Sequence, residues 1–388
     1  MKRSGFLAAT AATLAFGIAK QARAQFVTPG ISQEFMIAVN APLSGPLQSY
    51  GQQLVTGVQA ACDENNRYAA PLQAVFNVRS FDDQNTLAVA TTNVSLAAAD
   101  PSVLAVVGNL SSDITLNALP FYANSGLPLL VAASTDDTIT SRGYRNVFRL
   151  PTKDSTEGAL FARTILPIVK PKLALAVTQD SSYGTSVAQA FVQQAGTQRF
   201  HADGYTFPSA SPNYEAAARS VLDRLPDYVF LCGKSGDLGP LAIELRKAGY
   251  TGGFGASDGF YNKETLDTFG TALQGATVSS SFAPLSRASS DFQTLSDFER
   301  YYGDITVLSA FAYAAAQIVI TATRQVTATS HTALLQALQQ PSMSYTTLAG
   351  PFSFSFTGDP IDPNLYFYSI DKDGFTYQRQ AHPSGFVL

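Results

Sequence analysis

Four short stretches combine small residues with hydroxyls: Ala41-Pro-Leu-Ser-Gly-Pro46 followed by Tyr50-Gly51, Gly108-Asn-Leu-Ser-Ser112, Ala132-Ala-Ser-Thr135, and Thr178-Gln-Asp-Ser-Ser-Tyr183-Gly184. Each follows a short apolar run. Hydroxyls and the unpaired N–H groups that open a helix receive anions. The same residue types are ordinary N-caps, Ser112 and Ser182 among them, and every α/β domain needs caps. A second constellation is Gly255-Ala-Ser257-Asp-Gly259, which satisfies the G-x-S-x-G pattern of a hydrolase elbow, with His331 or His382 as base and Asp304 as acid. Such an elbow needs a strand before the serine and a helix directly after it. The glycine-rich run 251–255 makes a poor strand, and 260–263 does not open a helix. In a chain with 28 glycines the pattern arises easily by chance.

The elements that would position these groups alternate along the chain. Apolar runs at 36–39, 74–78, 103–107 and 128–131 read as strands, with helical spacing at 51–66, 87–98 and 116–124 between them. After a loop near Pro151 the alternation restarts, with strands at 173–177, 227–231 and 276–278 and helices at 186–196 and 238–249. A helical stretch at 292–340 interrupts, and 352–356 and 366–370 read as closing strands. Short buried strands alternating with helices form parallel sheets covered on both faces. The expected fold is therefore α/β, with two doubly wound lobes. In such sheets ligands sit beyond the carboxyl ends of the strands, where the four stretches fall.

Composition sets the outer bounds. Of 388 residues, 46% are apolar, 14% are charged, and the net charge is −4. That balance offers nucleic acid nothing to hold. Two cysteines and three scattered histidines exclude a disulfide-built scaffold and a multi-histidine metal centre. No Walker loop, G-x-G-x-x-G after a strand, H-E-x-x-H or EF-hand loop is found, and no cofactor is expected. Residues 1–24 have a basic start (Lys2-Arg3), an apolar run from Gly5 to Ala19, and Ala22-Arg23-Ala24 before Gln25, the pattern of an export signal cleaved after Ala24. Its removal would take away Lys2, Arg3, Lys20 and Arg23 and leave a more acidic product. The Lys2-Arg3…Phe6-Leu7 order only partly matches a twin-arginine signal. No later segment reads as long and apolar enough to span a bilayer, so a soluble, exported product is expected.

The order and spacing of the polar stretches resemble the leucine/isoleucine/valine-binding proteins, type I periplasmic substrate-binding proteins of ABC importers. The match begins at Ala41-Pro-Leu-Ser-Gly-Pro…Tyr50-Gly51…Thr56-Gly57. It continues through Val107-Gly108…Ser111-Ser112, Ala132-Ala-Ser-Thr135, Thr140-Ser-Arg-Gly-Tyr144, Phe148-Arg149, Ser182-Tyr-Gly184, Ala248-Gly249 and Gly350-Pro351. The resemblance implies two Rossmann-like lobes joined by three crossover strands, closing on a ligand: 25–153 plus 283–358, and 154–282 plus 359–388. It places the ligand carboxylate on Ser112 and Thr135, and an ammonium on the Ala133 carbonyl, the Thr135 hydroxyl and Asp258. Tyr50 and Tyr183 fall on the aromatic walls. With Ser111, Ser134 and Lys234, these are the candidate ligand-binding residues. The implied role is delivery of an amino acid or other small carboxylate, by a periplasmic monomer, to permease subunits in the inner membrane. A carboxylate without an amino group, or a sensing rather than transporting role, are the alternatives.

The departures bear on the ligand. Lys234 stands where leucine-type binders have a tyrosine, and would favour an additional acceptor on the ligand or else point outward or pair with Asp237. Asp136-Asp137 add negative potential at the cleft rim. Ser111 occupies a cysteine position of the family, so Cys62 lacks its implied partner. Cys62 and Cys232 are expected as buried free thiols.

Overall fold

The computed structural model describes residues 33–68, 74–284, 292–326 and 330–387; the expected signal peptide lies outside the described residues. β1 (Glu34–Ala41) is buried along most of its length, as a strand covered on both faces must be. In α1 (Gln48–Tyr68) the buried residues Gly51, Leu54, Val58, Ala61, Cys62 and Asn65 recur three and four apart, forming one stripe against the sheet. β2 (Val75–Asp82), α2 (Leu87–Ala99), β3 (Val103–Gly108), α3 (Ser112–Ser125), β4 (Leu129–Val131), α4 (Thr138–Ser141) and β5 (Val147–Arg149) complete a first series. Its parallel sheet has the order β2-β1-β3-β4-β5.

The second series runs α5 (Asp154–Val169), β6 (Ala174–Gln179), α6 (Ser182–Thr197), β7 (Ala202–Phe207), α7 (Tyr214–Leu222), β8 (Tyr228–Leu231), α8 (Ser235–Lys247), β9 (Gly253–Ala256) and β10 (Thr277–Ser280). The chain then returns to the first unit with α9 (Phe292–Tyr302), α10 (Val307–Val326), α11 (His331–Leu338) and the ribbon β11 (Tyr345–Thr347)–β12 (Gly350–Phe352). It crosses back for β13 (Leu365–Asp371), β14 (Gly374–His382) and β15 (Gly385–Val387), which extend the second sheet antiparallel to β10. That sheet has the order β15-β14-β13-β10-β9-β8-β6-β7. The architecture is two α/β units linked by three chain passages, as expected.

Those passages are tied together. The Thr152 N–H donates to Ser281 Oγ at 3.1 Å, and its hydroxyl donates to the Asn364 carbonyl at 3.0 Å, so one residue of the first passage holds the other two. Arg149, wholly buried at the end of β5, donates from Nε to Asp359 Oδ1 at 3.0 Å and from Nη1 to the Thr135 and Asp136 carbonyls at 2.9 and 2.6 Å.

Three expectations need correction. The run 352–356 is not a closing strand of a main sheet: Phe352 ends β12 in the two-stranded ribbon, and Phe354 forms a single bridge with Pro360. The chain does contain one helix long and apolar enough to cross a membrane, Val307–Gln325, among the described residues. It is 72% buried, and its apolar character belongs to the core of the first unit. The third concerns the strand before Ser257, which β9 supplies despite its glycines. The sequence pattern also passes over α5, α7, β5 and β7. β7 lies at the sheet edge with Asp203, Gly204 and Thr206 exposed, so it lacks the apolar run that marks a buried strand. Cys62 and Cys232 are both free and buried, as expected.

α1 packs closely on α10 because small residues face each other. A Cβ on Gly57 would come within 2.1 Å of the Ser309 carbonyl oxygen and 2.9 Å of the Ala312 Cβ. Gly57→Ala would gain about 1 kcal/mol in helix propensity, yet the backbone collision costs about 1–3 kcal/mol. The variant is expected to be less stable than the parent in urea unfolding. Equal or greater stability would show that the two helices separate freely.

Candidate ligand-binding site

The exits of β3 and β4 are held from beneath by buried polar groups. Asn109 donates to Asp83 Oδ2 at 2.9 Å, the Tyr122 hydroxyl donates to Asn109 Oδ1 at 3.2 Å, and Asn40 donates to the Tyr122 oxygen at 3.1 Å. Ser111 is the N-cap of α3 and Ser112 its first residue, so the cap falls one position before the expected Ser112. The Ser111 hydroxyl donates to Asn85 Oδ1 at 2.6 Å, so it is engaged beside the helix start. Ser112, half-buried, opens the first turn. Ser134 is buried, and its hydroxyl lies 3.1 Å from the Asn109 carbonyl and 2.7 Å from Thr115 Oγ1. Ser134 therefore clamps the two exits together, and its hydroxyl is committed within the loop rather than presented to a ligand. Ala133 and Thr135 are half-buried on either side of it. The Thr135 carbonyl accepts from the Asp154 N–H at 3.1 Å, which joins the β4 exit to the start of α5.

The facing side is built on α5, α6 and the turn after β9. Ser181 caps α6 by accepting from the Gly184 N–H at 3.2 Å, again one residue before the expected cap, Ser182. This sets Tyr183 in the first turn, where its hydroxyl donates to Asp258 Oδ1 and accepts from the Gly259 N–H at 3.2 Å. Asp258 opens a short 3-10 turn, and its N–H donates to Glu157 Oε1 at 2.6 Å. The Ser279 hydroxyl donates to the same Glu157 oxygen at 2.6 Å. Glu157 is thus the buried knot between α5, the β9 exit and β10. One turn earlier, Asp154 is wholly buried, and neither of its carboxyl oxygens has a hydrogen-bond partner.

Among the described residues no lysine or arginine pairs with Asp154, Glu157 or Asp258: Lys153 lies 3.8 Å from Asp137 and Arg149 pairs with Asp359. Burial, then the neighbouring Asp258 charge, raises Glu157 well above the usual carboxyl range. Burial likewise raises Asp258, with the Tyr183 hydroxyl opposing. Asp154 is pushed up to about 8, first by burial and then by Asp258, Asp137 and Asp136, while the Thr135 hydroxyl works the other way. Asp136 goes below its ordinary value: burial would raise it, but hydrogen bonds from Thr138 and Ser182 and the Arg149 charge prevail.

Side-chain bonds at the β4 exit and one field also span the units. The Ser182 hydroxyl donates to Asp136 Oδ2 at 3.0 Å, and the Ser155 N–H donates to Asp137 Oδ1 at 2.9 Å. Tyr50 on α1 has its phenol raised by burial and by the Glu264 and Asp237 carboxylates, which belong to the second unit. The structure thus brings Thr135, Tyr183 and Asp258 to one seam, with Tyr50 within electrostatic reach of the second unit. Lys234 is exposed as the N-cap of α8 and forms no ion pair among the described residues; only its carbonyl bonds to Asp237, through that residue's N–H at 3.1 Å. Asp154 and Glu157 escaped sequence reasoning because α5 itself did. Their sign was an acid repeated one turn apart at a helix start, followed by an apolar face.

The hydrolase constellation does not assemble. Ser257 is fully buried, its hydroxyl donating to the Gly233 carbonyl at 3.1 Å and accepting from the Gly233 N–H at 2.9 Å. His331 Nε2 lies 2.6 Å from the Val103 carbonyl. His382 faces Ser384 at 2.6 Å and Asp362 at 3.3 Å, and Asp304 is exposed.

The family model described as "Periplasmic binding protein" matches residues 34–375, nearly all of the described chain. The chain belongs to this family. The Leu/Ile/Val-binding protein of Escherichia coli is 27% identical over 261 residues, 65% of this chain and 69% of that protein. The branched-chain amino acid transporter substrate binding protein of Streptococcus pneumoniae, solved with isoleucine, superposes with a TM-score of 0.80 at 21% identity, covering 90% of this chain and 100% of that one. A solute binding protein of R. palustris, solved with 4-hydroxybenzoate, has a TM-score of 0.78 at 16% identity, covering 90% and 96%. Proteins solved with quite different ligands, isoleucine and 4-hydroxybenzoate, thus share this fold.

Asp154 makes stability depend on pH in a definite direction. The folded chain keeps a proton that the unfolded chain releases near pH ~3.9, so stability is full below that value and falls as pH rises toward about 8. Asp154→Asn is expected to flatten this fall and to stabilise the ligand-free protein at pH 8 by on the order of a few kcal/mol. Urea unfolding at pH 5 and pH 8 reads the difference; parallel profiles for the two proteins would contradict it.

Proposed function

We propose that the chain is the exported solute-binding component of an ABC importer and that its solute is an amino acid. The observation that carries this reading is the buried acidic side of the seam. Asp258 and Glu157 are bonded to Tyr183, Asp154 lies within the field of Asp258, and among the described residues no lysine or arginine pairs with the three. A buried carboxylate without a partner is costly, and an ammonium group offsets that cost. The opposite side, at Thr135 and the first turn of α3 at Ser112, offers hydroxyls and free N–H groups to a carboxylate. Opposite charges at the two sides suit a zwitterion.

In this reading the lobes are 25–153 plus 283–358 and 154–282 plus 359–388, and residues 1–24 are a signal peptide removed on export to the periplasm. The Ala133 carbonyl and Thr135 hydroxyl share the ammonium with Asp258, while Tyr50 and Tyr183 wall the side chain. Closure is a population shift: a ligand that touches both faces stabilises the closed arrangement, which the permease subunits then receive as a complex with a monomer. The protein carries out no reaction on the solute. The relatives named for leucine, isoleucine and valine support the amino-acid class.

One observation favours a second reading, a carboxylate without an amino group: Lys234 is exposed at the start of α8 and forms no ion pair among the described residues. Such a ligand would leave the three carboxyls without a cation, which sets it behind. A thermal-shift screen of amino acids against aromatic and keto acids, on refolded ligand-free protein, separates the two. Asp258→Ala is expected to weaken amino-acid binding about 100-fold or more while far-UV circular dichroism is unchanged. Unaltered affinity by calorimetry would remove Asp258 from the ammonium site.

A further inference from the structure

The seam holds more carboxyl groups than one ammonium needs. Asp258 is bonded by Tyr183, and Glu157 accepts from the Asp258 N–H and the Ser279 hydroxyl. Asp154 is different: it is wholly buried, neither oxygen makes a hydrogen bond of normal geometry although the Thr135 hydroxyl acts on it, and it lies within the field of Asp258 and of the Asp136–Asp137 pair. A carboxyl so placed has only the Thr135 hydroxyl to stabilise its charge, and it shares its surroundings with other acids. We propose that Asp154 is a second carboxyl receiving the ligand's cationic nitrogen, and that this nitrogen enters in exchange for a proton held by the Asp154–Glu157–Asp258 cluster.

The groups facing the cluster come from every element around it. The β4 exit brings Asp136 and Asp137, the first already bonded by Ser182 and Thr138 and the second by Ser155. α6 brings Tyr183, β10 brings Ser279, and the β8 exit brings Cys232, whose thiol is raised by burial and by Glu157. Lys153 and Arg149 are the nearby cations, and each is turned to another acid. Without ligand, burial and mutual repulsion raise all three carboxyls above their ordinary values, which favours a shared proton in the cluster. An arriving ammonium stays protonated, supplies the missing positive charge, and lets one carboxyl ionise. That proton leaves to solvent, so the exchange conserves the charge of the seam.

This inference rests on the amino-acid reading, and the experiment separates the two. The full chain, refolded free of ligand, is titrated calorimetrically with each of the twenty common L-amino acids in phosphate and in Tris at pH 7. The dependence of heat on buffer ionisation counts protons. For any amino acid that binds, release of about half to one proton is expected, with Kd falling up to about tenfold per pH unit from pH 6 to 7. Binding with buffer-independent heat overturns the exchange and leaves the amino-acid reading standing. Binding of none of the twenty overturns both. In the double variant Asp154→Asn/Glu157→Gln the proton count should fall to a small fraction. A count equal to the parent's would overturn the assignment to this cluster.

Discussion

The Arg149 guanidinium is the interaction on which the site depends. It is buried at the end of β5, and it reaches Asp359 in the third passage, the Thr140 hydroxyl, and the carbonyls of Thr135 and Asp136. A planar group with five donors in fixed directions allows little latitude to the loop it holds. The β4 exit is therefore shaped by a cation that never meets solvent. Arg149 takes the Thr135 and Asp136 carbonyls, and the Ser134 hydroxyl is taken within the loop. The same cation is spent on Asp359, which leaves it unavailable to the acids only a few residues away.

That division of charge gives the seam its character. The cations are settled behind the β4 loop, and the acids Asp154, Glu157 and Asp258 are gathered in front of it around Tyr183. Hydrogen bonds fix Glu157 and Asp258 in orientation, so their positions are set before any ligand arrives. Preorganised groups lose little entropy on binding, which favours a small polar solute over one that must be held by many flexible contacts. The bonds Ser182–Asp136 and Ser155–Asp137 already span the units, so closure builds on contacts belonging to the protein itself.

Much of this was legible from residue order. Apolar runs flanked by helical stripes announce β1, β3, β6 and β8, and the small polar stretches do follow those strands. Cys62 and Cys232 read as free thiols because they fall in different expected lobes, and both are free and buried. What the pattern hides is instructive. α5 opens with charged residues that look like a solvated turn, so its two buried acids, Asp154 and Glu157, are passed over. Ser134 reads as a ligand group by type, yet tertiary packing turns its hydroxyl inward to Asn109. α10 is apolar enough for a bilayer, and only its neighbours decide otherwise. Local composition states what a residue is able to do; its partners determine which of those things it does.

Thr152 carries a consequence for how the molecule moves. Because one residue in the first passage is bonded to both of the others, the three passages behave as a single strap rather than three independent tethers. Sliding or shearing of one unit past the other would stretch at least one of these bonds. Rotation about an axis through the strap need not. The approach of the two faces then reduces to one angle, and different solutes would be distinguished mechanically by where along that single arc the molecule comes to rest.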